Sequence, residues 1–585
     1  MRIDRRDALP HSLQHAGLDP LLAQVFAARG VSTPEELRLN LAQLLPPDGM
    51  LGLPAAAQLL ASALEHGEKI LFMGDFDADG ATSIAVGMTL LRAMGATEVD
   101  FLVPNRFDYG YGLSPEIVEL ARQREPAIIV TVDNGISSLE GVSRARELGI
   151  RTLVTDHHLP GLALPEADVI VNPNQPGCGF ASKHLAGVGV IFYVMSALRR
   201  SLQERGWFER RGIRPPSLAA VLDLVALGTI ADVVPLDRNN RILVQQGLAR
   251  IRGGETRPGI RALLEVAGRN LQRLVASDLA FAVAPRLNAA GRLDDMTVGI
   301  ECLLAEDMTL ARGAAARLDT LNTERRGIEQ AMQQQAESAL AEVSLTEPTE
   351  TRHSICLYQS GWHQGVVGIL ASRVKDKLHR PVIAFADVDD ERLKGSARSI
   401  PGLHIRDALE RVSSLHPGLI EKFGGHAMAA GLSLSRDNYQ LFCEALERTC
   451  ADWLTEENLQ AVVVSDGELP GEALQLDLAR QLRYAAPWGQ HFPEPLFDGR
   501  FLVVSQRLVG ERHLKLVLAL PDEPSQLFDA IAFGVDLNRW PDNSIEYVHI
   551  VYRLDCNFFR GEETLQLMIE HIEGLDAAAW NRNTD

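Results

Sequence analysis

Between residues of about 50 and 240 the chain alternates short apolar runs with helical stretches, and several of the apolar runs end in acids. Residues 69–73 read as a strand leading into Gly74-Asp75-Phe76-Asp77-Ala78-Asp79-Gly80, with a helical run over roughly 81–94 behind it. Residues 99–103, 128–132, 151–155 and 169–171 read as four further strands. The run at 128–132 ends at Asp133-Asn134-Gly135 and the run at 151–155 at Asp156-His157-His158. Strands alternating with helices predict a parallel, doubly wound α/β sheet. In that architecture ligands sit outside the carboxyl ends of the strands, where this chain gathers its polar residues.

The remaining sequence divides around that unit. Residues 1–50 look helical and polar, broken at Pro10, Pro34 and Pro46-Pro47. Residues 51–245 form the sheet domain, and 246–345 form a helical connector. The connector's last stretch, 305–345, is rich in Ala, Glu, Gln and Arg and reads as one long linker helix. Residues 346–455 form a second, smaller α/β domain. From 456 to 585 the pattern switches to period-two alternation, as in His513-Leu514-Lys515-Leu516-Val517-Leu518, and predicts a small β-barrel. A chain of 585 residues is expected to hold about three to five domains.

Composition narrows the class. Hydrophobic residues at 46% and charged residues at 23% are ordinary for a globular chain and argue against collagen-like, disordered and disulfide-scaffold proteins. No apolar run approaches the roughly 18–20 residues of a membrane span, so no membrane association is expected. The opening Met-Arg-Ile-Asp-Arg-Arg-Asp has no apolar stretch behind it, so no secretory signal is expected. The six cysteines are scattered without a C-x-x-C pair, which disfavours a zinc ribbon and a disulfide framework and fits a reducing cytoplasm. The net charge of −20 argues against indiscriminate binding to polyanions. It leaves room for a local basic channel, and acid-rich metal sites add to the negative total.

Asp75-x-Asp77-x-Asp79-Gly80 is the strongest local signal. Three alternating carboxylates can converge on a hard divalent cation. An EF-hand calcium loop fails, because the twelfth position, which needs a bidentate Glu, is Val86. A plain surface turn also uses Asp and Gly, but three acids directly after a buried strand repel one another without a cation. Asp133-Asn134-Gly135 alone could be a turn. Asp156-His157-His158 alone could hold two buried structural histidines; in an extended chain the two rings point apart, one toward a metal and one toward substrate. Asp232 interrupts the apolar run Gly-Thr-Ile-Ala-Asp-Val-Val-Pro-Leu and alone could be a helix-end carboxylate. Together, four such clusters in one domain make a carboxylate-rich site with a few imidazoles, which suits Mn²⁺ or Mg²⁺ better than Zn²⁺.

Asp-x-Asp-x-Asp-Gly, Asp-Asn-Gly, Asp-His-His and Gly-Thr-Ile-Ala-Asp-Val-Val-Pro-Leu, in that order, resemble the four motifs of the DHH phosphoesterase superfamily. Asn-Arg-Phe-Asp-Tyr-Gly-Tyr-Gly-Leu-Ser after the first motif, with Gly-Ser-Ala-Arg-Ser, Gly-Gly-His-Ala-Met-Ala-Ala-Gly and Phe-Phe-Arg-Gly-Glu-Glu further on, resembles the superfamily's bacterial single-strand-specific 5′→3′ exonucleases. The similarity runs from about residue 50 to near the end. It implies a doubly wound DHH domain joined by a long helix to a second α/β domain, with a C-terminal OB-like barrel. It also implies hydrolysis of single-stranded DNA to 5′-mononucleotides, in repair and recombination, in a groove too narrow for a duplex.

Carried over residue by residue, the resemblance makes Asp75, Asp77, Asp79, Asp133, His157 and Asp232 the ligands of two divalent cations. Asp133 bridges them, and His158, in the triplet with Asp156, faces the scissile phosphate. Many relatives carry a His just before the first motif; here Phe72-Met73-Gly74 precede it, and Asp79 is the natural substitute. Arg106, Arg286 and Asn288 match positions near the 5′ end of the strand. Ser396 and Arg398 place a hydroxyl and a guanidinium together for a phosphate clamp. Gly424-Gly425-His426 offers backbone N–H groups and an imidazole to an anion, or is a glycine turn with a capping His. Tyr111 is either a base-stacking residue or core packing. In the barrel Arg507, Lys515, Phe559 and Arg560 are candidates for strand contact. The partners implied are single-stranded DNA, a single-strand-binding protein and a helicase, with the enzyme a monomer. The nearest alternative is a phosphoesterase acting on short oligoribonucleotides, cyclic dinucleotides or pyrophosphate, which the chain's length and extra β module oppose.

Overall fold

The computed structural model describes residues 1–7, 13, 17–104, 112–344, 352–537 and 539–575. The chain divides into two compact units. The larger is made chiefly of residues 4–291, 295–319 and 463–585, and the smaller chiefly of residues 320–462.

The larger unit is built on a five-stranded sheet. Its strands are β1 (Ile70–Gly74), β2 (Val99–Leu102), β3 (Ile128–Val132), β4 (Arg151–Thr155) and β5 (Val169–Val171). All pairings are parallel and the order across the sheet is β2-β1-β3-β4-β5. Every residue of β1 and of β3 is buried, as expected of strands covered on both faces. Leu71, Met73, Ile129 and Val154 face helices α3 (Pro115–Arg122) and α4 (Leu139–Glu147), where Ile117, Val118, Val142 and Ala145 complete one core. Before them in the chain come α1 (Leu53–His66) and α2 (Ala78–Ala93); after them come α5 (Gly187–Glu204) and α6 (Leu222–Ala231). The strand order reverses between β1 and β3. That switch point leaves a crevice at the carboxyl ends of those strands, and the first two acidic motifs follow them directly.

Residues 1–50, read as helical, open with a short strand at Arg2–Arg5, and the helix after the first motif starts earlier than the sequence reading placed it. Helix α2 begins at Ala78, three residues earlier than expected, because Asp77 caps it: its Oδ1 accepts from the N–H groups of Asp79 and Gly80 at 2.9 and 3.0 Å. The third acid therefore sits in a helical turn rather than in a loop.

The expected long helix is α7 (Met308–Ser344), 37 residues that start in the larger unit and end in the smaller one. The smaller unit holds β6 (Ile355–Tyr358), β7 (Val382–Asp387), β8 (Arg392–Arg398), β9 (Lys422–Gly425) and β10 (Ala429–Ser435) in the order β9-β10-β8-β7-β6. Helices α8 (Val367–Leu378), α9 (Ile405–Leu415) and α10 (Tyr439–Trp453) accompany that sheet. The expected C-terminal barrel is closed by β11 (Phe497–Val509), β12 (His513–Ala519), β13 (Leu527–Ala532), β14 (Tyr547–Phe559) and β15 (Glu562–Leu575) in the order β11-β12-β13-β15-β14. Among the described residues no helix is long and apolar enough to cross a membrane.

Candidate metal centre and phosphate-binding residues

The strand ladder itself delivers the acids. The N–H of Asp133 donates to Thr155 O at 3.1 Å and that of Asp156 to Val171 O at 3.1 Å, so each acid is held at its strand's end by the neighbouring strand. Asn134 Nδ2 donates to Met73 O and Val132 O, tying β1 to β3 just below the acids. Asp133 has φ +61°, a left-handed conformation that Asp tolerates better than most side chains. The turn aims its carboxylate into the crevice, where it is 2% exposed.

Ligand atoms converge there from all four motifs. Asp75, Asp77 and Asp133 place carboxylate oxygens within 4.8 Å of one another. Asp79, His157 and Asp232 do the same, and so do Asp133, Asp156, His157 and His158. His157 Nε2 lies 3.0 Å from Asp133 Oδ1 and 3.4 Å from Asp232 Oδ2. His157 Nε2 and Asp232 Oδ2 are buried, and neither has a hydrogen-bond partner among the described residues. A buried polar atom with no hydrogen bond costs about 1–3 kcal/mol. Two such atoms 3.4 Å apart, amid buried carboxylates, are what a cation would satisfy, and the oxygen-rich set with one imidazole fits Mn²⁺ or Mg²⁺.

Asp79 does more than the sequence reading gave it. Its Oδ2 accepts from Gly187 N at 2.6 Å and its Oδ1 from Val188 N at 2.9 Å, so a side chain of α2 caps the N-terminus of α5. The close approach requires glycine: a Cβ on Gly187 would lie 2.6 Å from Asp133 Cβ.

The electrostatics separate the roles. Burial, then the charges of Asp79, Asp77, Asp232 and Asp75, push the Asp133 carboxyl well above its usual range. Burial and the Asp232 charge push Asp79 up to about 7, and burial and Asp77 push Asp232 up to about 8. Such a cluster resists ionisation until cations offset it. Burial and the neighbouring His158 charge lower His157, keeping it neutral as a ligand must be. For His158 burial works against the charged form, but Asp156 prevails and raises it to about 9. Asp156 Oδ1 lies 2.7 Å from His158 Nδ1. Asp156 also accepts from the backbone N–H groups of His157, His158 and Ile136, so it positions the two histidines. The rings of His157 and His158 lie 4.4 Å apart rather than on opposite faces. Both follow the last residue of β4, where strict alternation has ended.

The structure adds residues that the motifs did not reveal. Asn172 Nδ2 donates to His158 O at 2.9 Å and Asn174 Nδ2 to His157 O at 2.6 Å, clamping the paired histidines from the end of β5. Their signal was available, since Asn172-Pro173-Asn174 follows a short apolar strand as the other motifs do.

Of the strand-contact candidates, Arg106 and Tyr111 lie outside the described residues. Arg286 Nε donates to Asp319 Oδ1 at 2.8 Å. Asn288 Oδ1 accepts from Ala78 N at 2.7 Å, which supports the first motif from behind. In the smaller unit, Arg398 Nε donates to Ser372 Oγ at 3.1 Å and Nη1 to Ser396 Oγ at 3.2 Å. No carboxylate pairs with Arg398 among the described residues, and burial lowers its pKa. Gly368, in the first turn of α8, makes room for it: a Cβ there would meet Ser396 Oγ at 2.9 Å and Arg398 Nη2 at 3.0 Å. Gly424 and Gly425 pair with Gly431 and Ala430, while Gly431 and Ala429 pair with Ser396 and Arg398. The register thus puts Gly424 and Gly425 on the strand next but one to Arg398, with β10 between them. In the barrel Arg507 faces Lys515 across β11 and β12, and Lys515 Nζ donates to Asp529 at 3.2 Å. Phe559 is 64% exposed with the Arg560 guanidinium 5.1 Å from its ring centroid.

A doubly wound sheet with this cluster at its switch point defines a metal-dependent phosphoesterase of the DHH type. The family model described as "DHH family, N-terminal domain" matches residues 69–229, "DHHA1 domain" matches 352–452 and "RecJ OB domain" matches 465–571. The chain belongs to the RecJ family. It is 54% identical over 557 residues to the single-stranded-DNA-specific exonuclease RecJ of Escherichia coli, covering 95% of this chain and 96% of that one. It is 32% identical to the Bacillus subtilis RecJ, covering 97% and 69% of the two chains. The crystal structure of Thermus thermophilus RecJ in complex with Mn²⁺ superposes with a TM-score of 0.79 at 30% identity, covering 98% of this chain and 80% of that one.

Proposed function

We propose that this protein is a divalent-metal-dependent exonuclease specific for single-stranded DNA, digesting from the 5′ end to mononucleotides during DNA repair and recombination. One observation carries the reading. The buried atoms His157 Nε2 and Asp232 Oδ2, without hydrogen bonds among the described residues, converge with the carboxylates of Asp133 and Asp79 at the switch point of the sheet. They do so in a chain 54% identical to a single-stranded-DNA-specific exonuclease.

Divalent cations held there would neutralise a phosphodiester and lower the pKa of water. The chain's own residues do the rest. Asp133 and His157 each belong to two of the three ligand groups; of the two, only the carboxylate has two oxygens to share, so Asp133 would be the ligand common to both cations. His157, neutral, completes the set. His158 is held cationic by Asp156 and, with Nδ1 committed to that carboxylate, offers Nε2 to the scissile phosphate. Ser396, Arg398 and the Gly424–His426 turn receive the 5′ phosphate. Asn288 braces the first motif through Ala78 N, and Arg286, steadied by Asp319, contacts the strand near its 5′ end. Base identity matters little, because these contacts address phosphate. A monomeric enzyme in the cytoplasm, supplied with strand by a helicase and a single-strand-binding protein, follows from the family resemblance.

The test is digestion, with Mn²⁺, of strands labelled at either end, compared with a blunt duplex. Single-strand-specific loss of the 5′ label as mononucleotide is expected. Intact single strands, or duplex cut as fast as single strand, would overturn the reading.

A further inference from the structure

In the smaller unit, strand β6 and helix α10 run past each other in step. Successive side chains of a strand take opposite faces. Ile355 and Leu357 join the core that α8 supplies, while Cys356 and Tyr358 pack against the core that α10 supplies. Ser354, one residue before β6, donates from N and Oγ to Glu447 Oε2 at 2.8 and 2.7 Å. At the other end of the strand the rings of Tyr358 and Tyr439 lie 5.6 Å apart. Two residues of strand advance about 6.6 Å and four residues of helix about 6 Å. The steps 354-356-358 and 447-443-439 therefore keep pace, and the middle pair is Cys356 and Cys443. Their thiols are hydrogen-bonded to each other.

The two thiols differ in character. The hydrogen bond from Cys356, opposed by burial and helped by the Tyr439 hydroxyl, lowers the Cys443 thiol. The same bond, with burial, pushes the Cys356 thiol up. Cys443 is thus the thiol that ionises, and the thiolate is the reactive form. Both are half-buried, whereas Cys302, Cys450 and Cys556 are buried. Cys450, on the same helix as Cys443, lies about 10.5 Å further along the axis, beyond the roughly 7 Å between Cα atoms that a disulfide spans.

We propose that Cys356 and Cys443 are a reversible redox pair, which a hydroperoxide converts from two thiols to a disulfide. Cys443 gives up its proton and its thiolate attacks one oxygen of the hydroperoxide. The O–O bond breaks, the leaving oxygen takes that proton, and Cys443 becomes a sulfenic acid. Cys356 then loses its proton and attacks the Cys443 sulfur. The S–S bond forms, the S–O bond breaks, and the departing hydroxide leaves with the Cys356 proton as water. Two thiols are oxidised and one hydroperoxide is reduced, giving one disulfide, one water and one alcohol, or a second water from hydrogen peroxide. A dithiol reductant reverses the change by thiol–disulfide exchange.

The bond has a consequence for the rest of the unit. It closes the chain from residue 356 to residue 443 into a loop that contains Ser396, Arg398 and Gly424–His426. Cross-linking so long a loop restricts the unfolded chain. Oxidation therefore steadies the segment that carries the phosphate-binding candidates, with Glu447 and Tyr439 already holding the two elements in register.

Treatment of the full-length protein with hydrogen peroxide tests the pair, and the readouts need no nuclease activity. After quenching and unfolding, two of the six thiols are lost and peptide mapping finds Cys356 joined to Cys443. Dithiothreitol restores both thiols. Cys356→Ser lacks the second thiol, so it accumulates a sulfenic acid at Cys443 that dimedone captures, while Cys443→Ser leaves Cys356 unreacted. In oxidised wild type, amide hydrogen exchange across residues 356–443 slows on the order of tenfold or more, and exchange in the barrel is unchanged. Six thiols surviving the peroxide, a cross-link through any other cysteine, a sulfonic acid at Cys443 in place of the disulfide, or exchange across 356–443 unaltered by oxidation would overturn the proposal.

Discussion

Asp232→Asn should make the metal-free protein more stable, not less. Asp232 sits at the C-cap of α6, the negative end of a helix dipole, and burial and Asp77 push its pKa from 3.8 up to about 8. Near pH 7 ionisation is therefore disfavoured across about three pH units, roughly 4 kcal/mol at 1.36 kcal/mol per unit. Relaxation and water penetration reduce such penalties, leaving about 2 kcal/mol. The folded pKa is raised, so this cost is absent below about pH 4 and grows as pH rises toward 8. Asn has the same shape and no such cost. Thermal melts in EDTA at pH 7.5 should place Asp232→Asn a few degrees above wild type, and the difference should vanish near pH 4. In saturating Mn²⁺ the order should invert. Wild type gains stability by binding, about 2.7 kcal/mol at one hundred times Kd, while the variant lacks a ligand. A variant that melts below wild type in EDTA, or that gains as much from Mn²⁺, would refute the electrostatic account of the site.

Three further outcomes follow from other contacts. Asp156→Asn removes the 2.7 Å partner that holds His158 charged to about pH 9. The raised histidine loses its proton as pH rises through that value, so the alkaline limb of kcat/KM against pH should move from near 9 down toward the ordinary 6.5 or so. Arg398→Gln should raise KM for 5′-phosphorylated strands on the order of tenfold and leave KM for 5′-hydroxyl strands nearly unchanged, in steady-state assays. Asp498 is buried, which favours its protonated form, yet His549, Arg5 and Ser465 hold its carboxyl well below the usual range. Asp498→Asn should cost about 3 kcal/mol at pH 6–8 by denaturant melts. That cost should shrink below about pH 4, because a depressed carboxylate loses its contribution as pH falls.

Much of this was legible in the sequence, for local reasons. Strands β3, β4 and β5 announce themselves as apolar runs of the right length, and the polar triplets after β3 and β4 mark the ends where ligands bind. Period-two alternation announced the barrel, whose five strands close into one sheet. What escaped were contacts made across long stretches of chain. Asp79 caps a helix 108 residues away at Gly187, and nothing around either residue records the other. Ser372, which holds Arg398, looks like any serine on a helix. Arg286 and Asn288 carry the motif in the sequence, while their partners within the protein, Asp319 and the backbone of Ala78, come only from the structure.

The central claim is that acids and an imidazole from four separate motifs share a pair of cations. Crystals of the protein grown with Mn²⁺, measured at the manganese absorption edge, test it most directly. Two anomalous peaks about 3.5–4 Å apart, with Asp133 between them and His157 and Asp232 on their rim, are the expected result. A map with no peak at the carboxyl ends of β1 and β3, or with one ion held by none of these side chains, would contradict it.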